Sequence, residues 1–61
     1  HTASHYIRQK TILEAKSYLI HTELQVAEIA FRLGFSNVTY FNRFFRELAG
    51  TTPTTFRRQH A

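Results

Sequence analysis

The sequence predicts a small all-α domain of about four helices. Apolar residues recur three and four positions apart and do not alternate with polar ones, which is the spacing of amphipathic helices. The only glycines, Gly34 and Gly50, and the only proline, Pro53, divide the chain into four stretches. With 61 residues, of which 43% are hydrophobic, the chain can build one compact core and no second domain.

The first predicted helix covers about residues 4–20. Its apolar side chains can share one stripe on the helix surface, while most of the charged residues lie elsewhere. We expect this helix to bury the stripe and to expose a basic side. The residues of the stripe are Ile7, Ile12, Ala15 and Leu19.

The second predicted helix is short and begins at Thr22, because Thr22 and Gln25 have the spacing of a capping box. Gly34 is expected to end it, since glycine readily adopts the left-handed conformation that commonly closes a helix. Phe31 lies at the flank of the apolar stripe, where it either covers the edge of the core or faces a part of the protein outside this chain, and we expect the first. The stripe itself consists of Val26, Ile29, Ala30 and Leu33.

The third predicted helix, residues 37–49, is expected to begin after Ser36 as its N-cap and to stop at Gly50. At roughly 100° per residue its apolar side chains collect on one arc. This arc contains Tyr40, Phe41, Phe44, Phe45 and Leu48. A second arc of polar and small side chains contains no acidic residue. Its main members are Val38, Thr39, Asn42, Arg43 and Arg46.

The fourth predicted helix is short and covers residues 53–59. Thr52 is a suitable N-cap and Pro53 a suitable first helical residue, since proline has no amide hydrogen to leave unbonded. We expect Phe56 to fold this helix back onto the core.

The polar arc of the third helix has the side chains needed to read DNA bases. Arginine can donate two hydrogen bonds to guanine, asparagine can pair with adenine, and threonine or valine can touch the thymine methyl group. A short helix and a tight turn precede this helix, so residues 22–49 are predicted to form a helix-turn-helix of the homeodomain-like type.

We therefore assign base contacts and phosphate contacts to separate sets of residues. Tyr40 flanks the polar arc and is expected to pack in the core. Two other interpretations stay open: the arc is only a solvated surface, or Arg43 forms an ion pair with Glu47. The predicted base-contacting residues are Val38, Thr39, Asn42 and Arg43. The predicted phosphate-contacting residues are Ser36, Asn37 and Arg46.

Composition argues against several other classes of function. The chain lacks Cys and Asp, so it has no thiol nucleophile and no aspartate to orient a catalytic His, and we predict a protein that is not an enzyme. His1 and His5 supply too few ligands for a metal site, and no cofactor is expected. The net charge of +4 favours an anionic partner. An alternative function is a helical module that docks on a partner protein domain.

The sequence contains neither a run of about 20 apolar residues nor the features of a secretion signal, so we expect a cytoplasmic protein with no membrane partner. The chain begins with His1 instead of Met. We therefore expect it to be a fragment of a longer protein.

Five short motifs follow one another between Val26 and Arg57. They are Ile29-Ala30, Leu-Gly-Phe-Ser-Asn ending at Asn37, Tyr-Phe-Asn-Arg-Phe-Phe-Arg ending at Arg46, Gly-Thr-Thr-Pro ending at Pro53, and Phe56-Arg57. With these motifs in register, about half of the chain resembles the C-terminal signature of the AraC/XylS family of transcription regulators.

The resemblance implies a bacterial DNA-binding unit whose third helix enters the major groove of a promoter, with Arg43 and Arg46 at positions where the family favours basic residues. It also implies that the first helix links this unit to an earlier helix-turn-helix, which is missing from this chain. Further partners implied by the family are an N-terminal effector-binding or dimerisation domain of the same protein and RNA polymerase.

Overall fold

The computed structural model describes residues 3–60, with side chains from Ile7 onward, and contains four helices in that range. No strand occurs among the described residues, and the predicted all-α fold is confirmed. His1 and the side chain of His5, considered above as metal ligands, lie outside the described part. The helices are α1 (Ala3–His21), α2 (Val26–Arg32), α3 (Val38–Ala49) and α4 (Pro53–Gln59).

The core lies where α1 packs against the other three helices. Its apolar side chains come from every helix, so each helix is held by one face. Ile7 does not belong to the core, because its side chain is 60% exposed. At 100° per residue it lies about 120° from Leu19, so the predicted stripe was too wide. The buried apolar residues are Ile12, Ala15, Leu19, Ile29, Ala30, Phe41, Phe45 and Phe56.

A chain of aromatic contacts runs through this core from the α2–α3 turn to α4. The ring of Phe35 meets that of Phe41 edge to face with centroids 5.3 Å apart. Phe41 lies 6.0 Å from Phe45, which in turn meets Phe56 at 5.5 Å. The Phe35–Phe41 and Phe45–Phe56 pairs are edge to face, and such pairs add to the free energy gained from burial alone. The inner face of α3 is therefore fixed from both ends.

The helix α2 begins at Val26 and not at Thr22, so the predicted capping box was wrong. The Thr22 hydroxyl donates to the Tyr18 carbonyl at 2.6 Å and accepts from the Leu24 amide at 3.3 Å. Thr22 thus completes the end of α1. Gln25 is the N-cap of α2, and its side chain makes no capping bond.

Phe31 on α2 is 57% exposed, and its predicted place at the edge of the core was also wrong. It follows the fully buried Ile29 by two positions, which puts it roughly 160° around the helix from that residue. The apolar stripe of α2 faces inward without it.

The start of α4 agrees with the prediction. The Thr52 hydroxyl accepts a hydrogen bond from the Thr55 amide at 3.2 Å, and Pro53 is the first helical residue. Phe56 is buried against the core, with 9% of its surface exposed. The last helix is therefore held by its cap at one end and by an aromatic anchor on its inner face.

Candidate nucleic-acid interface

The turn between α2 and α3 is closed by hydrogen bonds that require a left-handed residue. Gly34 has φ 93°, its amide donates to the Phe31 carbonyl at 3.1 Å, and the Phe35 amide donates to the Ala30 carbonyl at 3.0 Å. These two bonds form a Schellman motif, which ends α2 and reverses the chain. Gly34 was predicted as the end of this helix, and that prediction is confirmed.

Asn37, not Ser36, is the N-cap of α3. Its side-chain Oδ1 accepts a hydrogen bond from the Tyr40 amide at 3.0 Å. Its backbone is extended (φ −154°, ψ 161°), as is usual for a residue just before a helix. Ser36 lies exposed, one position earlier. In sequence, Asn37 therefore directly precedes the free amino-terminal amides of α3, and Ser36 precedes Asn37.

The outer face of α3 carries four exposed polar side chains. On the opposite side of the same helix Phe41 and Phe45 are fully buried, so these positions are held towards solvent. The predicted exposure of the arc is confirmed for these four side chains but not for Val38. We call the four the polar face, which consists of Thr39, Asn42, Arg43 and Arg46.

Val38 differs from these four, because its side chain is half-buried and packs against the core. It lies in the first turn of α3, on the side that faces inward. Only part of this side chain remains accessible to a ligand.

Tyr40 is 58% exposed, and its predicted place in the core was wrong. At 100° per residue it lies about 60° from Arg43 but 100° from Phe41, so it borders the polar face. The hydrophobic arc predicted for α3 therefore included one residue too many.

An ion pair joins α1 to α3. The Arg8 guanidinium of α1 lies 3.4 Å from the Glu47 carboxylate of α3. The alternative pair of Arg43 with Glu47 is not formed. Among the described residues, neither Arg43 nor Arg46 has an ion-pair partner. Both line a shallow depression together with Glu47.

Arg57 has a structural contact that the sequence did not predict. Its Nε donates to the Leu19 carbonyl at 3.1 Å and its Nη2 donates to the Thr22 carbonyl at 3.2 Å. The guanidinium thus caps the carboxyl end of α1. Sequence spacing does not indicate this contact, because the two partners lie 35 and 38 residues away in sequence.

The described side chains, those of residues 7–60, include no group of three or more His, Cys, Asp or Glu that could hold a metal ion. Among the described helices none combines the length and apolar character needed to cross a membrane.

The sequence profile of a family described as "Helix-turn-helix domain" matches residues 1–59. The chain is 43% identical over 58 residues to the HTH-type transcriptional activator RhaR of Enterobacter sp. (strain 638). This match covers 95% of this chain and 21% of RhaR. It is 39% identical over 57 residues to the bifunctional transcriptional activator/DNA repair enzyme AdaA of Bacillus subtilis (strain 168), covering 93% of this chain and 27% of AdaA.

A solved structure has the same fold. It is the C-terminal domain of the two-component response regulator yesN from Fusobacterium nucleatum, which superposes with a TM-score of 0.90 at 37% identity. The match covers 93% of this chain and 55% of that domain. The chain thus spans about a fifth to a quarter of the length of the curated relatives named above and about half of the solved domain.

The profile, the relatives and the solved structure agree with the motifs and with the geometry of α2 and α3. The chain is a DNA-binding helix-turn-helix domain that belongs to the AraC/XylS family of bacterial transcription regulators.

Proposed function

We propose that α3 enters the major groove of double-stranded promoter DNA and reads base edges through Thr39, Asn42 and Arg43. One observation carries this proposal: the polar face projects from a helix whose other side is anchored by buried phenyl rings. A fixed helix can present its side chains to the bases with little loss of conformational entropy on binding. Val38 is a smaller contributor, because only its outer part can reach a thymine methyl group.

Phosphate groups are proposed to bind at the two ends of the polar face. Ser36 and Asn37 immediately precede the first turn of α3, where the helix dipole attracts anions. The Asn37 cap uses the side-chain oxygen and leaves the amide nitrogen as a donor. Arg46 lies one turn beyond Asn42 and supplies a positive charge to the backbone.

Tyr40 joins this proposal because of its exposure. Its hydroxyl can donate to a phosphate oxygen, and its ring can pack against a deoxyribose. Tyr40 therefore belongs with the residues that position the helix and not with those that read the bases.

The domain is proposed to act by binding, without catalysis, as part of a longer bacterial regulator in the cytoplasm. The solved domain is nearly twice as long as the matched part, which supports a second helix-turn-helix in the complete protein. The length of the curated relatives supports a further effector-binding or dimerisation domain. RNA polymerase is proposed as the partner through which bound regulator alters transcription.

The exposed ring of Phe31 favours a second candidate function, in which the domain docks on another domain of the same regulator. Such an apolar contact would tolerate salt and would not distinguish DNA sequences. If the domain binds another domain of the regulator with an affinity that does not depend on salt, and binds all DNA duplexes alike, this candidate is favoured over groove recognition.

The main proposal is tested by two substitutions on the polar face, measured with a duplex selected from a random pool. Arg43→Ala is expected to cost about 1–3 kcal/mol of binding free energy and to relax the preference at one base pair. Arg46→Ala should weaken binding to all sequences alike and reduce the slope of log K against log salt by about one. Lys10→Ala, on α1, is the control for loss of one charge. If both changes match this control, the polar face does not contact DNA.

A further inference from the structure

Glu47 is the acidic residue of α3, and two arginines are placed near its carboxylate, one along the helix and one on α1. Arg43 lies four residues earlier on the same helix, at the spacing that brings side chains together. Arg8 reaches it from α1, 39 residues away in sequence. The observed pair is the second one, with 3.4 Å between Arg8 Nη2 and Glu47 Oε2.

The Arg8 guanidinium is also held by an aromatic ring. Its Cζ lies 5.9 Å from the centroid of the Phe44 ring, within range of a cation–π interaction. Phe44 is half-buried and packs on Phe35 with centroids 5.3 Å apart. The Arg8 guanidinium thus has two contacts on α3, the Glu47 carboxylate and the Phe44 ring. An Arg43 guanidinium paired with Glu47 would have only the contact with the carboxylate.

We propose that Arg8 is a positioning residue that keeps Arg43 available for DNA by occupying the Glu47 carboxylate. The inference rests on the proposed function of Arg43 in base recognition. Glu47 lines the same surface depression as Arg43 and Arg46, so a carboxylate released from Arg8 has an arginine within reach. DNA would then have to break an Arg43–Glu47 pair before Arg43 could reach a base.

A double-mutant cycle tests this role through affinity for the selected duplex. Arg8→Ala should weaken binding roughly two- to fivefold, the range of equilibrium shifts that exposed ion pairs produce. In the Glu47→Gln background, the same change should weaken binding no more than Lys10→Ala does, because Arg43 then has no competing carboxylate. An equal loss in both backgrounds would overturn the proposal, since Arg8 would then act on DNA directly.

A second measurement needs no DNA and separates this inference from the proposed function. The Nε–Hε signal of Arg43 is followed by NMR in the free protein. It should move on Arg8→Ala and return towards its original position when Glu47→Gln is added. A signal that does not move on Arg8→Ala overturns the proposal. Failure of the wild-type chain to bind any duplex would instead refute the proposed function and leave the pairing result intact.

The pair between Glu28 and Arg32 on α2 provides the matched control. It is also an exposed ion pair, with 3.1 Å between Arg32 Nε and Glu28 Oε1. Glu28→Gln should leave the Arg43 signal unchanged, because this pair belongs to another helix. A similar shift on Glu28→Gln would contradict a specific link between Arg8 and Arg43.

Discussion

Arg57 illustrates how one side chain can join distant parts of a small domain. The carboxyl end of a helix leaves carbonyl oxygens without intrahelical donors. Arg57 on α4 donates to the Leu19 and Thr22 carbonyls, which lie at and just beyond the end of α1. Its positive charge also lies at the negative end of the α1 dipole. Both effects stabilise the packing of the last helix on the first.

We therefore expect Arg57→Ala to lower the free energy of unfolding by about 1–2 kcal/mol, since two partly buried carbonyls lose their donor. Urea denaturation followed by circular dichroism measures this change. Arg58→Ala is the control: Arg58 is exposed on the same helix, and its removal should change stability by less than ~0.5 kcal/mol. Equal effects of the two substitutions would show that the Arg57 contacts add nothing to stability.

Residues on the two sides of α3 show what periodicity can and cannot predict. The spacing of Phe41 and Phe45 correctly separated a buried face from the polar face. The spacing did not predict that Tyr40 is exposed. Spacing gives the angle of a side chain around the helix axis, but it does not show whether a neighbouring helix covers that side chain. Arg57 was missed for a related reason, since its partners are set by the tertiary arrangement of α1 and α4.

At the scale of elements, the α2–α3 turn sets where α3 begins and how it leaves α2. Gly34 provides the left-handed residue of this turn at φ 93°, and Asn37 caps the helix that follows. Glycine and cap residues have strong local preferences, so the turn could be predicted from sequence to within one residue. The prediction that α2 begins at Thr22 was wrong because the Thr22 hydroxyl donates to the Tyr18 carbonyl of α1 and does not cap α2.

The turn predicts a clear order of stability among substitutions at Gly34. A Cβ at this position would meet no atom within 4 Å, so the backbone conformation alone determines the cost. Gly34→Ala should lower the free energy of unfolding by about 1–2 kcal/mol, and Gly34→Asn by less, because Asn tolerates the left-handed region better. Chemical denaturation of the two variants checks this order. The reverse order would show that the turn changes its conformation.

At the scale of the whole molecule, a small core supports one outward-facing helix. The domain measures about 33 × 22 × 18 Å, and its aromatic contacts extend from the α2–α3 turn through α3 to α4. The net charge of +4 adds a long-range attraction for DNA that does not depend on sequence. Fold class and the polar face were predictable from composition and periodicity. The ion pair of Arg8 with Glu47 was not, because it depends on how α1 crosses α3.

The most direct test of groove recognition by α3 is an NMR titration of amide-labelled protein with the selected duplex and a scrambled duplex at two salt concentrations. Affinity is expected to be low, because a single helix-turn-helix makes few phosphate contacts. The selected duplex should shift amides concentrated in residues 38–46, and these shifts should persist at the higher salt concentration better than those from the scrambled duplex. Identical shifts with both duplexes, or shifts centred outside α3, would contradict the account.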